Sequence, residues 1–444
     1  MSNILQHQAA VIGAGPAGLY AARELAVNGV GVAMINRDIK PGGLAEYGIY
    51  PDKLKMKDGL RAQFRQILTH EAIKYYGNIS IGTQGDLHLN EFRELGFQAI
   101  LVTVGAQGTK WLGLPGEQLT GVYHAKNLVY HYNRLPPFSE QNFAIGCKAA
   151  VVGAGNVMGD VVHYLTCEAK VSEVYTVARR GPAEVKFDKK EMEVIVAHLD
   201  MAGLEKEIDR VAPVMRSLGQ DPEASKELFR SIYEKGEPPC ADTRFMMDFL
   251  ASPIRILGDE NGKVIGLELE NNTLVLEAGL IKARGLGTYR VLDVDTVIFA
   301  IGDAVDDGLG LPLIGSEFAK NPSPRFPVDG NSYEVYDPKG EQDLSDIFVA
   351  GWARKASTGL VGIARRDGTN GSKAVLQYLA TQPVIDDTPI RNLEKRLSRL
   401  GKPAVSKECL GRLLEAERQQ ALQLGVQDFK FLHNQEMLSV MGLS

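Results

Sequence analysis

The sequence predicts an α/β protein built on two Rossmann-like dinucleotide-binding units. Three observations predict it. An apolar run at residues 9–12 feeds a glycine turn and then a helix pattern. The same arrangement returns at residues 149–168. In the second copy, the next strand pattern ends in two consecutive arginines, Arg179 and Arg180.

In the first copy, Gly13, Gly15 and Gly18 have separate tasks. Gly13 makes the tight turn, Gly15 keeps side-chain atoms off an approaching pyrophosphate, and Gly18 lets the helix lie close to the strand. The helix, predicted at 19–27, turns its N–H groups and positive dipole end toward the phosphates. Residues 30–35 read as the second parallel strand. An acid usually ends this strand and takes ribose hydroxyls. Asn36 stands there instead, followed by Arg37 and Asp38. Residues 41–52 are too rich in Gly and Pro for a helix and read as a loop. An amphipathic helix is expected at 57–72, a short strand at 78–81, and a buried strand at 97–104 ending in Gly105. Leu114-Pro115-Gly116-Glu117 breaks the pattern and marks a crossover.

The second turn runs Gly153-Ala154-Gly155-Asn156-Val157-Met158-Gly159-Asp160, with a helix pattern to Glu168. Its third small position is Met158, with Gly159 one residue later. The strand at 173–178 delivers Arg179 and Arg180. Guanidinium groups suit a 2′-phosphate because they are planar, bidentate and permanently charged. Residues 183–250 are mostly helical in pattern. Strands are expected at 252–257, 263–270 and 295–301, with hairpin turns at Gly262 and at Asn271-Asn272. The last of these strands ends in Gly302 as 102–104 ends in Gly105, so the two strand ends read as inter-domain crossings. A further strand at 346–352, a helix to Leu379 and a polar helical segment from Ile390 complete the chain.

The totals exclude several classes. The net charge of −6 argues against a general nucleic-acid surface. Hydrophobic (44%) and charged (23%) fractions are those of an ordinary globular chain. No apolar run approaches the ~20 residues that span a bilayer. The first strand starts within ten residues of Met1, so no signal peptide is expected. Cys147, Cys167, Cys240 and Cys409 form no CxxC pair, which argues against a metal site, an iron–sulfur cluster or a redox dithiol. A reducing cytoplasm fits this usage.

The motifs together carry a resemblance. They are VIGAGPAGLYAA from Val11, PGGLAEYGIYPD from Pro41, YGNISIG from Tyr76, GAGNVMGDVV from Gly153 and VARRGPAEVKF from Val177. FLASPIRI from Phe249, FVAGWARKASTGLVG from Phe348 and KFLHNQEML from Lys430 extend them to the end of the chain. The whole chain resembles the adrenodoxin reductase family of ferredoxin–NADP(+) reductases. The resemblance implies an FAD domain formed by both chain ends (1–106 and 303–444, the latter with a C-terminal helical extension). An NADP(H) domain (107–302) is inserted between them.

It further implies that Gly13, Gly15, Ala17, Gly18, Asn36, Leu44, Ile81, Trp352, Gly359, Leu360 and Val361 line FAD. Ala154, Gly155, Asn156, Val157, Arg179, Arg180 and Glu191 would hold NADP(H), with Gly359 also near the nicotinamide. The implied activity is hydride transfer from NADPH to FAD, then electron transfer to a ferredoxin-like iron–sulfur protein. Alternatives are the flavin subunit of a multi-subunit NAD(P)H oxidoreductase with another acceptor, and a non-catalytic NADP(H) redox sensor. Where the family carries a histidine after Pro-Asp, this chain has Lys53. Its expected partner is Asp160, and these two are the catalytic candidates. Lysine titrates near 10.4, so that pair would not exchange protons at neutral pH. Arg365, Arg366, Lys373 and the basic run 391–402 read as a solvated surface or as a surface that steers an acidic ferredoxin.

Overall fold

The computed structural model describes residues 6–340, 344–357 and 359–443. The chain divides into two compact units. The first comprises residues 1–109, 130–140 and 302–444, and the second residues 110–129 and 141–301.

The first unit opens with β1 (Gln8–Ile12), α1 (Pro16–Val27) and β2 (Gly31–Ile35). Then come α2 (Leu44–Tyr47), α3 (Leu54–Leu68), β3 (Ile73–Tyr76), α4 (Leu89–Arg93), β4 (Ala99–Val102) and the short β5 (Gly108–Thr109). Every residue of β1, β2 and β4 is buried. Such strands belong in the middle of a parallel sheet covered on both faces. The strand expected at 78–81 lies earlier, at β3. There Ile73 and Tyr75 face the core, while residues 78–81 form bends and a bridge from Ile81 to Leu87.

The second unit contains β6 (Val122–His124), β7 (Lys148–Val152), α6 (Asn156–His163) and β8 (Glu173–Ala178); α5 (Ala125–Tyr132) follows β6. Next are α7 (Lys189–Glu193), α8 (Met201–Ser217), α9 (Pro222–Tyr233), β9 (Arg244–Phe249), β10 (Ala251–Gly258), β11 (Val264–Glu277), β12 (Leu280–Leu292) and β13 (Thr296–Phe299). The hairpin expected at Asn271-Asn272 is not there. Those residues lie inside β11, at a register shift opposite β12, and Asn272 turns inward to donate to the Arg179 carbonyl (3.1 Å) and Ser252 Oγ (2.8 Å). The chain reverses instead at Ala278 and Gly279, both with positive φ. Polar residues mark a bulge here as readily as a turn.

The chain returns to the first unit with β14 (Asp303–Ala304), which pairs with β5, then β15 (Leu313–Ile314), β16 (Glu317–Phe318) and β17 (Ile347–Val349). It ends with α10 (Val361–Leu379), α11 (Thr388–Leu397), α12 (Lys407–Leu424) and α13 (Asn434–Met441).

Each unit has one five-stranded sheet, ordered β17-β4-β1-β2-β3 in the first and β6-β13-β7-β8-β9 in the second. All neighbours within both sheets run parallel. In each sheet the order reverses beside the strand that feeds a glycine turn. Ligands of open parallel sheets bind at this reversal, outside the carboxyl ends of the strands.

Candidate functional site: two nucleotide cradles

The first cradle is set by contacts that only glycine permits. Gly13 has φ +105°, and a Cβ there would stand 2.6 Å from the Thr103 carbonyl oxygen. Thr103 Oγ1 donates to the Gly13 carbonyl at 2.8 Å, tying the turn to the end of β4. A Cβ on Gly18 would lie 1.9 Å from the Gly13 oxygen. Gly15 is different. Its backbone is extended, and a Cβ would meet only the Gly43 Cα, at 4.0 Å. The fold does not need glycine at 15, and the space in front of it is open.

The second turn repeats the contrast. Gly153 has φ +136°, and its Cβ would sit 2.4 Å from the Ala300 oxygen. Gly155 has nothing within 4 Å of its Cβ position.

Both turns lead into helices whose N-termini no side chain caps, α1 at Gly15 and α6 at Gly155. Elsewhere α8, α9 and α12 are capped by Asp200, Asp221 and Ser406, whereas α3 and α11 also lack a side-chain cap. Unsatisfied N–H groups at a glycine turn suit an anion. The residues therefore fit a pyrophosphate in each unit.

The positions of the remaining first-unit candidates follow. Ala17 is buried in the first turn of α1, where its carbonyl oxygen lies 2.1 Å from the Cβ position of Gly368. Glycine at 368 thus brings α10 against α1. Leu44 opens α2 and packs beside Tyr47, Tyr130 and Leu135. Ile81 leans on the core face that contains Ile79 and Leu309. Trp352 lies in the single turn after β17. Gly359 has φ +76° and precedes α10, whose N-cap, Leu360, gives no side-chain bond; Val361 starts the helix. Like α1 and α6, α10 therefore begins without a side-chain cap.

Asn36 is tied to the glycine turn. Its Oδ1 accepts from the Ala14 N–H at 3.0 Å. Its Nδ2 faces the carbonyls of Asp38 (2.8 Å) and Lys40 (3.1 Å) and the Tyr75 hydroxyl. One lone pair of Oδ1 is left for a ribose hydroxyl, while the side chain also braces the glycine turn. A cavity of about 190 Å³ opens beside the next residues, lined among others by Arg37, Asp38, Asn78, Ser80 and Lys402. Asp38 is its one carboxylate among the described residues. Nothing in the sequence spacing singled it out.

In the second unit, Lys186 N–H donates to the Ala154 carbonyl at 2.9 Å. Asn156 exchanges two hydrogen bonds with Asp188, Nδ2 to Oδ2 at 2.8 Å and Oδ1 from the Asp188 N–H at 2.7 Å. These bonds hold the 181–188 segment beside the turn. Val157 is exposed in the first turn of α6, and Met158 is fully buried. Gly159 lies beside Glu191, whose atoms stand 3.8–3.9 Å from its Cβ position, ordinary contact. Arg179 and Arg180 follow β8, Arg179 exposed and Arg180 half-buried. Among the described residues, no ion pair engages either guanidinium. Their main chains are fixed: the Arg179 carbonyl accepts from Asn272 and the Arg180 carbonyl from the Leu250 N–H. Lys53 is the N-cap of α3 in the first unit, and Asp160 lies in α6 of the second.

Sequence reasoning missed a buried charge cluster in the first unit. Lys40 Nζ meets Glu417 at 2.6 Å and Glu46 at 3.7 Å. Arg61 binds Glu46 at 2.7 Å and Asp428 at 3.0 Å, and Lys430 binds Glu46 at 3.0 Å. Burial opposes ionisation of Glu46, but Lys40, Lys430 and Arg61 hold it well below the usual carboxylate range. Lys57 is fully buried and donates to Asn133 Oδ1 at 2.7 Å. Burial, with Lys430 nearby, pulls its pKa down to about 7.

The sequence also missed a disulfide. Cys167 and Cys240, 73 residues apart, are bonded in the second unit, so their distance along the chain did not exclude a redox pair.

Comparison with known proteins agrees with this geometry. Residues 7–211 match the family model described as pyridine nucleotide-disulphide oxidoreductase. The chain is 28% identical over 410 residues to an NADPH-ferredoxin reductase FprA from Mycobacterium leprae, covering 84% of each chain. It is 27% identical over 403 residues to a mitochondrial NADPH:adrenodoxin oxidoreductase from Salvelinus fontinalis, covering 83% of this chain and 77% of that one. The fold superposes on Mycobacterium tuberculosis FprA in complex with NADPH with a TM-score of 0.80, at 23% identity, over 98% of this chain and 99% of that one. The resemblance read from the motifs is borne out, as is the α/β fold with two dinucleotide cradles. No helix among the described residues is long and apolar enough to cross a membrane.

Proposed function

We propose that the chain is an FAD-dependent oxidoreductase that takes a hydride from NADPH and passes electrons to a ferredoxin-like iron–sulfur protein. One observation carries the reading. Two glycine turns each keep an open second glycine before an uncapped helix, and only the second is followed by unpaired arginines. An NAD site favours an acid at that strand end, and a 2′-phosphate favours arginine. The first cradle therefore takes FAD and the second NADP(H). The names of the relatives, NADPH-ferredoxin and NADPH:adrenodoxin reductases, support the same assignment.

The bound flavin supplies the conversion of a two-electron donor into one-electron deliveries. The chain supplies binding and orientation. Gly15 and α1 receive the FAD pyrophosphate, and Gly155 and α6 that of NADP(H). The uncapped start of α10 at Leu360 and Val361 would offer N–H donors to a bound flavin. Donors already oriented stabilise charge gathering there better than solvent does. Leu44, Ile81 and Trp352 would flank a bound FAD, and Glu191, beside Gly159, would help to hold NADP(H). Lys53, which stands where the family carries a histidine, and Asp160 are the proposed catalytic charges. The protein works in the cytoplasm.

Stopped-flow absorbance tests the proposal. NADPH should bleach the bound flavin much faster than NADH, and oxidised ferredoxin should restore the colour. Bleaching that ferredoxin cannot reverse would reject the acceptor. Arg179→Ala/Arg180→Ala should lose about tenfold or more in preference for NADPH, since charged bidentate contacts contribute roughly 1.5–3 kcal/mol. An unchanged ratio removes the pair as phosphate ligands.

A further inference from the structure

We propose that Cys167, Cys240 and His198 form a thiol-switched site for one zinc-class divalent cation, available when the disulfide is reduced. Their ligand atoms all lie within 4.8 Å of one another. His198 is prepared for the task. Its Nδ1 stands 3.2 Å from the Thr243 carbonyl oxygen, which can only accept. Nδ1 therefore carries the proton and Nε2 the lone pair. Nε2 in turn accepts the Cys240 N–H at 3.3 Å and lies 3.3 Å from Cys240 Sγ. A backbone carbonyl that fixes the tautomer and orients the second nitrogen is the usual support of a metal-binding histidine; the Cys240 N–H releases that lone pair when Cys240 moves back to admit the cation. The ring is buried, so its direction is set by packing.

The sulfurs have the freedom that metal binding needs. Zinc–sulfur bonds of about 2.3 Å and tetrahedral angles place two thiolates roughly 3.8 Å apart. Cys240 must therefore move back from Cys167. It is exposed and lies on a loop at 236–243 without regular structure. Cys167 is half-buried in a widened turn, Tyr164–Glu168, that ends the α6 segment. Two thiolates and an imidazole favour zinc over calcium or magnesium. Solvent takes the fourth position beside exposed Cys240.

The site lies away from the nucleotide cradle. Cys167 follows the end of α6 opposite Gly155, and Cys240 precedes β9, at the amino ends of the strands. Metal binding and hydride donation therefore do not compete for space.

The chemistry is balanced. Reduction by a dithiol gives two thiols, and binding of the dication releases both thiol protons. Oxidised glutathione reverses it. One protein thiolate attacks the glutathione disulfide and expels one glutathione thiolate; the second protein thiolate then displaces the other. Two electrons leave the cysteine pair, two glutathione thiolates form, and the cation departs.

The test uses the full-length, flavin-loaded protein, reduced with a phosphine and desalted without oxygen. After addition of Zn²⁺ and gel filtration, one zinc per chain should be retained. Co²⁺ should give tetrahedral d–d absorption to the red of the oxidised flavin, and Zn²⁺ should abolish it. Cys240→Ser should lose the signal, His198→Ala should weaken affinity at least tenfold, and Cys147→Ser should retain both. Oxidised glutathione should release the zinc. If the reduced protein keeps no more zinc than Cys167→Ser/Cys240→Ser, the proposal is overturned. Circular dichroism and retained flavin confirm that each variant is folded.

Discussion

At the scale of single residues, glycines that look alike in sequence separate sharply in space. Gly13 and Gly15 are two residues apart in one motif. A side chain at 13 collides with the backbone of Thr103, whereas one at 15 meets almost nothing. Gly13→Ala should therefore fail to fold or lose several kcal/mol, the usual cost of a strained and overpacked backbone position. Gly15→Ala should keep the apoprotein's melting temperature within a few degrees and lose bound flavin. Gly155→Ala should likewise weaken NADPH alone. Thermal melts beside flavin absorbance distinguish the cases, and a Gly15→Ala protein that retains its colour would remove Gly15 from the site.

Lys57 is a second residue-level case. The cluster around it balances three cations, Lys40, Arg61 and Lys430, against three carboxylates, Glu46, Glu417 and Asp428. Lys57 lies fully buried beside them with a neutral amide as its hydrogen-bond acceptor, and its pKa falls to about 7. Between that value and lysine's ordinary range near 10.4, the unfolded chain holds a proton that the folded chain has released. Stability from this group therefore rises as pH climbs from 7 toward 10. Urea midpoints at pH 7 and pH 9.5 should show the wild type gaining relative to Lys57→Met. A pH-independent difference between the two would contradict the assignment.

At the scale of elements, the same cluster joins α2 and α3 to α12 and to the chain just before α13. Lys40 reaches Glu417 across 377 positions, and Arg61 reaches Asp428 across 367. These bonds hold the segment that carries Leu44. Glu417→Gln leaves a buried lysine short of a charge and should cost about 3 kcal/mol, the usual penalty for removing one partner of a buried pair. The melting temperature should fall, and flavin should dissociate faster, because the loop beside it loses its anchor. Unaltered flavin release in a destabilised protein would limit the cluster to stability.

What could be read from the sequence divides along the same line of range. Glycine turns, fully apolar strands and the arginine pair are local patterns, and each lies where its spacing predicted. The Asn271-Asn272 pair misled because a bulge and a turn use the same polar residues. The contacts of Asn36 to Ala14 and Tyr75 could not be read from its place at the strand end, because they depend on the folded turn. The buried ion cluster and the Cys167–Cys240 bond join residues far apart in the chain, and no local periodicity records them.

At the scale of the whole molecule, each unit has apolar clusters of its own. In the first unit they lie on the two faces of its sheet, around Val11, Leu25 and Phe348 and around Ile12, Phe92 and Ile347. In the second, the cluster joins Val152, Val177, Leu267 and Phe299. A ligand stabilises only the structure that binds it, by about 2.7 kcal/mol at a hundred times its dissociation constant. FAD should therefore slow amide exchange in peptides from 6–109 and 344–443. Adenosine 2′,5′-bisphosphate, which offers the 2′-phosphate without a nicotinamide, should protect peptides from 148–193 and leave the first set unchanged. Hydrogen exchange read by mass spectrometry resolves the two sets in one experiment on the flavin-free protein. The Arg179→Ala/Arg180→Ala variant should lose the second protection and keep the first. If the bisphosphate protected the first set, or FAD the second, the assignment of one cradle to each cofactor would be reversed.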